Sequence, residues 1–219
     1  MTTGKSLHLR LILVYLFSLV CLAGCREDEK QLIVLPVDEE PEEDATAPIE
    51  LDGDLSDWDD IEELISIDPT ADNSLETLKA TDDEDNIYVF IQGVEGTERA
   101  IFQIFVNADN DTESGFDHWE QPGISGLDAL YEYDGSTLNL YSFDPSVDPG
   151  WPWPEAENNP EIGKVALSED KSTYEVALSK SFMGDVGEVV SIKVMEADST
   201  WATIGKLPAA EAALPEVEL

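Results

Sequence analysis

The stretch SLETLKATDDEDNIYVFIQGV, residues 74–94, decides the fold prediction. It contains two runs rich in apolar and β-branched residues, separated by an acidic sequence that is typical of a turn. The second run, IYVFI at residues 87–91, has apolar side chains on both faces, as in a central strand whose outer face is also partly covered. The stretch therefore predicts two neighbouring strands inside a sheet.

The same pattern of strand, turn and strand continues along the chain. It occurs in AIFQIFVNA, LDALYEYDG, STLNLYSFD, EIGKVALSEDKSTYEVALS and EVVSIKVMEAD, and Asp134-Gly135 marks a hairpin turn. Many short strands at this spacing predict an all-β fold, namely a two-sheet antiparallel β-sandwich of jelly-roll-like type. One or two short helical turns are expected, in DWDDIEELISI and SKSFMGDVGE.

The N-terminal residues have the layout of an export signal. Lys5 and Arg10 precede an apolar run of thirteen residues, 11–23, which suits a signal peptide and is too short to span a bilayer. The run ends in LAGC, and this motif resembles the bacterial lipoprotein signal, in which the cysteine is lipidated. The predicted parts are a signal peptide at 1–24, an acidic tether at 25–48 after the lipidated Cys25, and one domain at 49–219. A secretory signal with a chance cysteine is the alternative.

The charge of the chain excludes several kinds of partner. The 219 residues contain 49 Asp and Glu against 11 Lys and Arg, and removal of residues 1–24 leaves a net charge of −40. Phosphates repel such a surface, so we expect no nucleic-acid binding, and contact with a membrane only through a lipid anchor. We expect a location in the bacterial cell envelope, facing the periplasm or the cell surface. The mature domain also lacks any cysteine for a disulfide or a thiolate site.

A loop at NADNDTESGFDHWEQ, residues 107–121, crowds five carboxylates together. No Lys or Arg occurs between Arg99 and Lys164, where thirteen Asp and Glu occur. Neighbouring carboxylates repel one another, so a bound cation or surrounding water must balance them. The spacing follows an EF-hand loop, but its glycine comes one position late and a strand precedes it. The interpretation is a structural calcium site of another type, whose predicted ligands are Asp109, Asp111, Glu113, Asp117 and Asp128; a solvated acidic turn is the alternative.

A second unusual segment is PGWPWPEAENNP, residues 149–160. Its prolines stiffen the loop and exclude it from a central strand. Aromatic side chains on a stiff loop can stack on the apolar face of a sugar ring, while amides bind sugar hydroxyls. The predicted ligand-binding residues are Trp151, Trp153 and Asn158. The alternative, that both tryptophans fold back onto the sandwich as a lid, stays open at this point.

Catalysis is not predicted. His118 is the only histidine outside the signal segment, and we expect a polar loop residue there, because a zinc site needs further His or Cys ligands. A pair of carboxylates suffices for a glycosidase, so the sequence leaves an enzyme as one alternative. Trp58 lies among Ile61, Leu64 and Ile65, and this predicts a structural residue that closes one end of the sandwich.

Four segments in order resemble family-9-like carbohydrate-binding modules, which are related in fold to DOMON domains. The segments are IELDGDLSDWDDI, LKATDDEDNIYVFIQG, FQIFVNADNDTESGFD with GLDALYE, and STYEVALSKSFMGDVGEVVSIKVMEAD. The resemblance covers most of residues 49–207 and implies a β-sandwich, often with structural calcium, in proteins that handle polysaccharides. The predicted function is a membrane-anchored lipoprotein that binds glycan. Alternatives are an assembly lipoprotein with a protein partner and, less favoured, a carbohydrate-active enzyme.

Overall fold

The domain is a two-sheet antiparallel β-sandwich, which confirms the predicted fold class. The computed structural model describes residues 49–95, 101–118, 124–147, 152–154, 159–209 and 213–219. The predicted signal peptide, the tether and Cys25 lie outside these residues. Within them, no helix has the length and apolar character needed to cross a bilayer.

The strands are β1 Glu63–Ser66, β2 Leu75–Asp82, β3 Asn86–Gly93, β4 Ile101–Asn107, β5 Ala129–Tyr133, β6 Leu138–Ser142, β7 Gly163–Leu167, β8 Thr173–Ser179, β9 Val189–Ala197, β10 Thr203–Leu207 and β11 Glu216–Glu218. One sheet contains five strands in the order β1-β2-β3-β8-β7, and the other contains β10-β9-β4-β5-β6 with β11 also paired to β9. The 3-10 turn Lys180–Phe182 lies in SKSFMGDVGE, where a helical turn is expected. The other 3-10 turn, Leu55–Trp58, overlaps only the start of DWDDIEELISI, residues 57–67, and the expectation for the rest of that segment is wrong because Glu63–Ser66 pairs with β2 as a strand.

The stretch at residues 74–94 forms β2, a turn and β3, as its sequence predicts. The carboxylate of Asp83 closes the turn, because it accepts the backbone N–H groups of Asp85 at 2.9 Å and Asn86 at 2.7 Å. Ile87, Val89 and Ile91 face the core between the two sheets, while Phe90 faces outward and is still buried. Both faces of β3 are therefore covered, which explains its apolar sequence.

Residues 49–61 form the cover on the outer face of the five-stranded sheet. Trp58 is 1% exposed and packs on Phe90, with ring centroids 5.3 Å apart. Its indole Nε1 donates to Glu175 Oε1 at 2.9 Å, and the N–H of Gly53 donates to Glu175 Oε2 at 2.7 Å. The structural role predicted for Trp58 is confirmed, but its place is the outer face of a sheet and not one end of the sandwich.

The carboxylate of Glu175 is buried, and its ionisation should make the stability of the domain depend on pH. Burial raises its pKa, against the opposing effect of the bonds from Trp58 and Gly53. A raised carboxyl pKa adds stability that is complete below the ordinary glutamate pKa and is lost as pH rises through the raised value. We expect the stability advantage of the wild type over Glu175→Gln to shrink between about pH 4 and about pH 7 in urea denaturation.

Glu169→Gln is the matched control for the loss of one charge, since Glu169 is exposed. Its stability difference from the wild type should vary less with pH than that of Glu175→Gln. A difference for Glu175→Gln that stays constant over this pH range would contradict the account of a buried carboxylate.

Candidate functional site

The acidic loop after β4 is built from turns that its own carboxylates close. Asp109 Oδ1 accepts the N–H of Asp111 at 2.9 Å, and Asp111 Oδ1 accepts the N–H of Glu113 at 2.8 Å. Gly115 adopts a φ of 69° and packs against the backbone of Gly126 and Leu127, where a Cβ would come within 2.5 Å. The loop therefore folds back tightly onto the segment that leads into β5.

Asp128 joins the loop from this segment. Its Oδ2 accepts the N–H of Ala108 at 2.8 Å, and burial raises its pKa, with a further contribution from the charges of Asp109 and Asp111. The structure thus brings three of the five predicted calcium ligands into electrostatic contact. Glu113 and Asp117 are exposed, and Asp117 lies beyond the turn, beside Phe143 and Pro152.

A buried amide lies next to these carboxylates. Asn107 is 2% exposed, and its Oδ1 has no hydrogen-bond partner in the described part of the chain. At Gly126 a Cβ would lie 2.5 Å from Asn107 Nδ2 and 2.3 Å from the carbonyl oxygen of Asp111, so both groups converge on this glycine. Among the described residues, no three His, Cys, Asp or Glu side chains form a group that could hold one ion. Calcium accordingly stays a prediction.

Trp153 corrects the expectation of an exposed aromatic platform. It is 2% exposed and packs among Phe105, Phe116 and Phe143 on the outer face of the six-stranded sheet. A ring in this position covers the sheet, as in the lid alternative, and presents no face to a sugar. Trp151 and Asn158 lie outside the described residues.

His118 is also buried, which corrects the expectation of a polar loop residue. It is 3% exposed, its Nε2 lies 3.1 Å from Met195 Sδ, and its ring meets Phe105 edge-on at 5.0 Å. Burial lowers its pKa to about 3, with further contributions from the charges of Lys193 and Lys206. A neutral imidazole next to two positive charges does not attract a metal cation.

An open groove crosses the edge of the sandwich at β7, and no sequence motif indicated it. It consists of two adjoining cavities of about 390 Å³ and about 530 Å³, which share Leu51, Pro160, Gly163 and Lys164. We call it the tyrosine groove. Its other lining residues are Ile49, Asn86, Tyr88, Glu161 and Ala177 in the first cavity, and Tyr133, Ser136, Thr137, Leu138, Asn159 and Val165 in the second.

Small residues and the cover segment create this groove. Tyr88, Ala177 and Lys164 lie side by side across β3, β8 and β7, and the short side chain of Ala177 leaves a depression between its two neighbours. Ile49 and Leu51 of the cover segment line the groove beside this depression. At Gly163 a Cβ would lie 2.2 Å from the carbonyl oxygen of Ala177, so only glycine permits this strand spacing.

The polar groups of the groove have defined positions and charges. Tyr88 Oη donates to Asp83 Oδ2 at 2.7 Å, and the pKa of Tyr88 rises to about 12 through burial and this bond. Lys164 is exposed and no hydrogen bond or ion pair ties it to the described residues. One sequence signal points here: Lys164 is the first base after the base-free stretch that starts at Arg99. Tyrosine rings, amides, hydroxyls and one ammonium group can bind a polar ligand that has apolar faces.

Comparison with known proteins gives a likeness of fold. The domain is similar in structure to family-9 carbohydrate-binding modules. One is the module from Caldicellulosiruptor kristjanssonii in complex with cellotriose, at 14% identity and a TM-score of 0.45, over 79% of this chain and 89% of that one. Another is a family-9 module from the same organism in complex with glucose, at 13% identity and a TM-score of 0.44, over 79% and 91%. No family model and no curated protein matches the sequence. Cellotriose and glucose are ligands of those modules, and a ligand for this chain has to be inferred from its own residues.

The buried position of Trp153 predicts the outcome of its truncation. Trp153→Ala should cost about 3–5 kcal/mol of unfolding free energy, because it leaves a cavity among three aromatic rings. Trp153→Phe should cost less, since the indole Nε1 has no hydrogen-bond partner among the described residues. Urea denaturation measures both, with Leu167→Ala as a control at a side chain that is 40% exposed. A loss for Trp153→Ala no larger than that of the control would contradict the packing.

Proposed function

We propose that this protein is a non-catalytic binding module for neutral glycan and that the tyrosine groove is its binding site. The main support for this proposal is the groove, which places two tyrosine rings beside amide and hydroxyl side chains in an open channel. Each cavity has the size of a small-ligand site. Sugar rings have apolar C–H faces that stack on aromatic rings, and their hydroxyls need paired donors and acceptors.

The charge of the chain favours a neutral ligand. Among the described residues, Lys164 is the only base that lines the groove, and Glu161 lines it as well. Outside the groove, a surface with the net charge of this chain repels uronate or sulfate groups before they arrive. A neutral saccharide avoids this repulsion, and Lys164 can then donate hydrogen bonds to sugar oxygens.

Substitution of Tyr88 tests the groove. Tyr88→Ala should weaken binding of a neutral hexose oligosaccharide by about 1–2 kcal/mol through loss of the ring contact. Tyr88→Phe should keep most of the affinity, because the ring remains. Lys164→Ala should weaken binding, whereas Lys171→Ala should not, since Lys171 is an exposed lysine on the β7–β8 hairpin. Glycan-array screening followed by calorimetry measures these effects.

The same samples separate the alternatives. Absence of binding to every neutral and acidic glycan, with the fold intact by circular dichroism, would sink the proposal and favour a protein partner. Release of reducing ends from a bound glycan would indicate an enzyme. Binding that is unchanged in both Tyr88→Ala and Lys164→Ala would place the glycan site elsewhere.

We also propose that Cys25 anchors the module to the cell envelope through lipid. The basic start, the apolar run and LAGC support this anchor. Cys25→Ser should move the protein from membrane to soluble fractions, and a fatty-acid label should appear on the wild type alone. Equal membrane retention of the variant, together with an unlabelled wild type, would contradict lipidation.

Calcium at the acidic loop is a third part of the proposal. Asp109, Asp111 and Asp128 supply clustered negative charge, and the buried Oδ1 of Asn107 supplies an oxygen without a hydrogen-bond partner among the described residues. Calcium accepts carboxylate, amide and carbonyl oxygens in flexible geometry, which suits this mixed set of donors. Its chemistry there would be structural, as a positive charge that offsets the repulsion between the three carboxylates.

Chelation tests the calcium. Binding to the folded state alone adds about 2.7 kcal/mol at a hundredfold excess over Kd, so EDTA should lower the melting temperature and added calcium should restore it. Asp111→Asn should abolish most of this response, and Glu113→Gln, a charge-matched control at an exposed position, should retain it. Identical melting curves with EDTA and with calcium would leave a solvated acidic turn.

A further inference from the structure

We propose that Trp201, on the hairpin between β9 and β10, is a second glycan contact that binds sugars extending beyond the tyrosine groove. This inference rests on the proposed glycan binding. Trp201 is 58% exposed, and the other large apolar side chain exposed in the described residues, Leu167 at 40%, lies on the other sheet. The sequence patterns that predicted the strands gave no indication of this tryptophan.

The hairpin that carries Trp201 is held by a single carboxylate. Asp198 Oδ1 accepts the N–H of Thr200 at 2.8 Å, the hydroxyl of Thr200 at 2.7 Å and the N–H of Ala202 at 3.1 Å. The N–H of Trp201 donates to the carbonyl oxygen of Asp198 at 3.0 Å. The turn is therefore closed on both sides of Trp201, and the loss of backbone freedom on ligand binding is small.

The backbone of Trp201 is in a conformation that its side chain disfavours. Its φ is 68°, in the left-handed region where glycine and asparagine are the usual residues and a bulky residue is an outlier. Glycine would relieve this strain and would also remove an exposed indole from water. Neither backbone preference nor burial explains a tryptophan here, so contact with a ligand is the remaining use of the ring.

The surroundings of the ring favour a sugar over a protein partner. Four of its five neighbours along the hairpin are polar, namely Asp198, Ser199, Thr200 and Thr203, and the fifth, Ala202, has a small side chain. A stable protein interface buries about 800 Å² on each partner, which one indole among polar side chains cannot provide. One sugar ring needs a single aromatic face for its C–H groups, and hydroxyl or carboxylate groups nearby for its own hydroxyls.

The register of the six-stranded sheet places Trp201 and the tyrosine groove at the same end. Ala197, at the end of β9, pairs with Ile101 at the start of β4. The following residue of β4, Phe102, pairs with Tyr133 at the end of β5, and Tyr133 lines the groove. The β9–β10 and β5–β6 hairpins are three strand spacings apart, which is about 14 Å. An oligosaccharide that leaves the groove across this end can therefore reach Trp201, whereas a sugar confined to the groove cannot.

A comparison of short and long ligands tests Trp201. The probes are a neutral disaccharide and a longer oligosaccharide of the same repeat, chosen by array binding, with affinities measured by calorimetry for Trp201→Gly and the wild type. We expect Trp201→Gly to weaken the longer ligand about three- to tenfold, the scale of one aromatic contact, and to leave the disaccharide unchanged. Its melting temperature should equal or exceed that of the wild type, since glycine relieves the strained φ. Trp201→Phe should retain part of the affinity.

The outcomes separate this inference from the proposed function. Unchanged affinity for both ligands in Trp201→Gly, with Tyr88→Ala impaired, would overturn the role of Trp201 and leave the groove intact. A clear fall in melting temperature for Trp201→Gly would indicate a packing role and overturn the inference as well. Absence of any glycan binding by the wild type would overturn the groove and, with it, the second contact.

Discussion

The buried carboxylate of Glu175 is the interaction on which the groove depends. A carboxylate without solvent is costly unless donors reach both of its oxygens, and here the indole of Trp58 supplies one and the N–H of Gly53 the other. These two bonds hold residues 49–61 against the outer face of the five-stranded sheet. The same segment supplies Ile49 and Leu51 to the tyrosine groove. Loss of this attachment would therefore expose Phe90 and remove part of the proposed binding site.

The two outer faces of the sandwich use their aromatic residues in different ways. On the six-stranded sheet, Phe105, Phe116, Phe143 and Trp153 form a second small core with His118 at its edge. Phe105 and Trp153 are buried by this packing and present no face to a ligand, whereas Phe116 and Phe143 remain partly exposed and line a small cavity. On the outer face of the five-stranded sheet, Tyr88 stays partly exposed beside the short side chain of Ala177. Tyr133 lies on β5 of the other sheet, where its ring packs toward the core between the sheets and lines the groove at its edge. The size of the neighbouring side chain, as at Ala177, thus decides whether an aromatic ring on an outer face lines an open depression.

Part of the acidic composition has a structural use. In the described residues, nine aspartates accept the backbone N–H two residues further along the chain and so close a turn: Asp52, Asp54, Asp83, Asp109, Asp111, Asp134, Asp144, Asp170 and Asp198. Several lysines are engaged as well. Lys79 donates to the carbonyl oxygen of Trp58, Lys180 pairs with Asp82 at 2.6 Å, and Lys193 is fully buried. Unlike these three lysines, Lys164 is exposed, on the sheet face that forms the groove. Its ammonium group is therefore accessible to a ligand in the groove, although the chain as a whole is strongly acidic.

The sequence by itself determined the strands and the class of fold. Alternating and doubly apolar runs such as IYVFI identify strands because side chains on a strand point to opposite faces, and this periodicity is local. Turn residues such as Asp83 and Asp134-Gly135 are local for the same reason. The tertiary structure alone decided which aromatic rings are exposed: Trp153 is buried, Trp201 is exposed, and no neighbouring residue in the sequence distinguishes the two. The tyrosine groove likewise contains residues from four separate parts of the chain, 49–51, 86–88, 133–138 and 159–177. Strand order and register bring these residues together, and neither can be read from the local sequence.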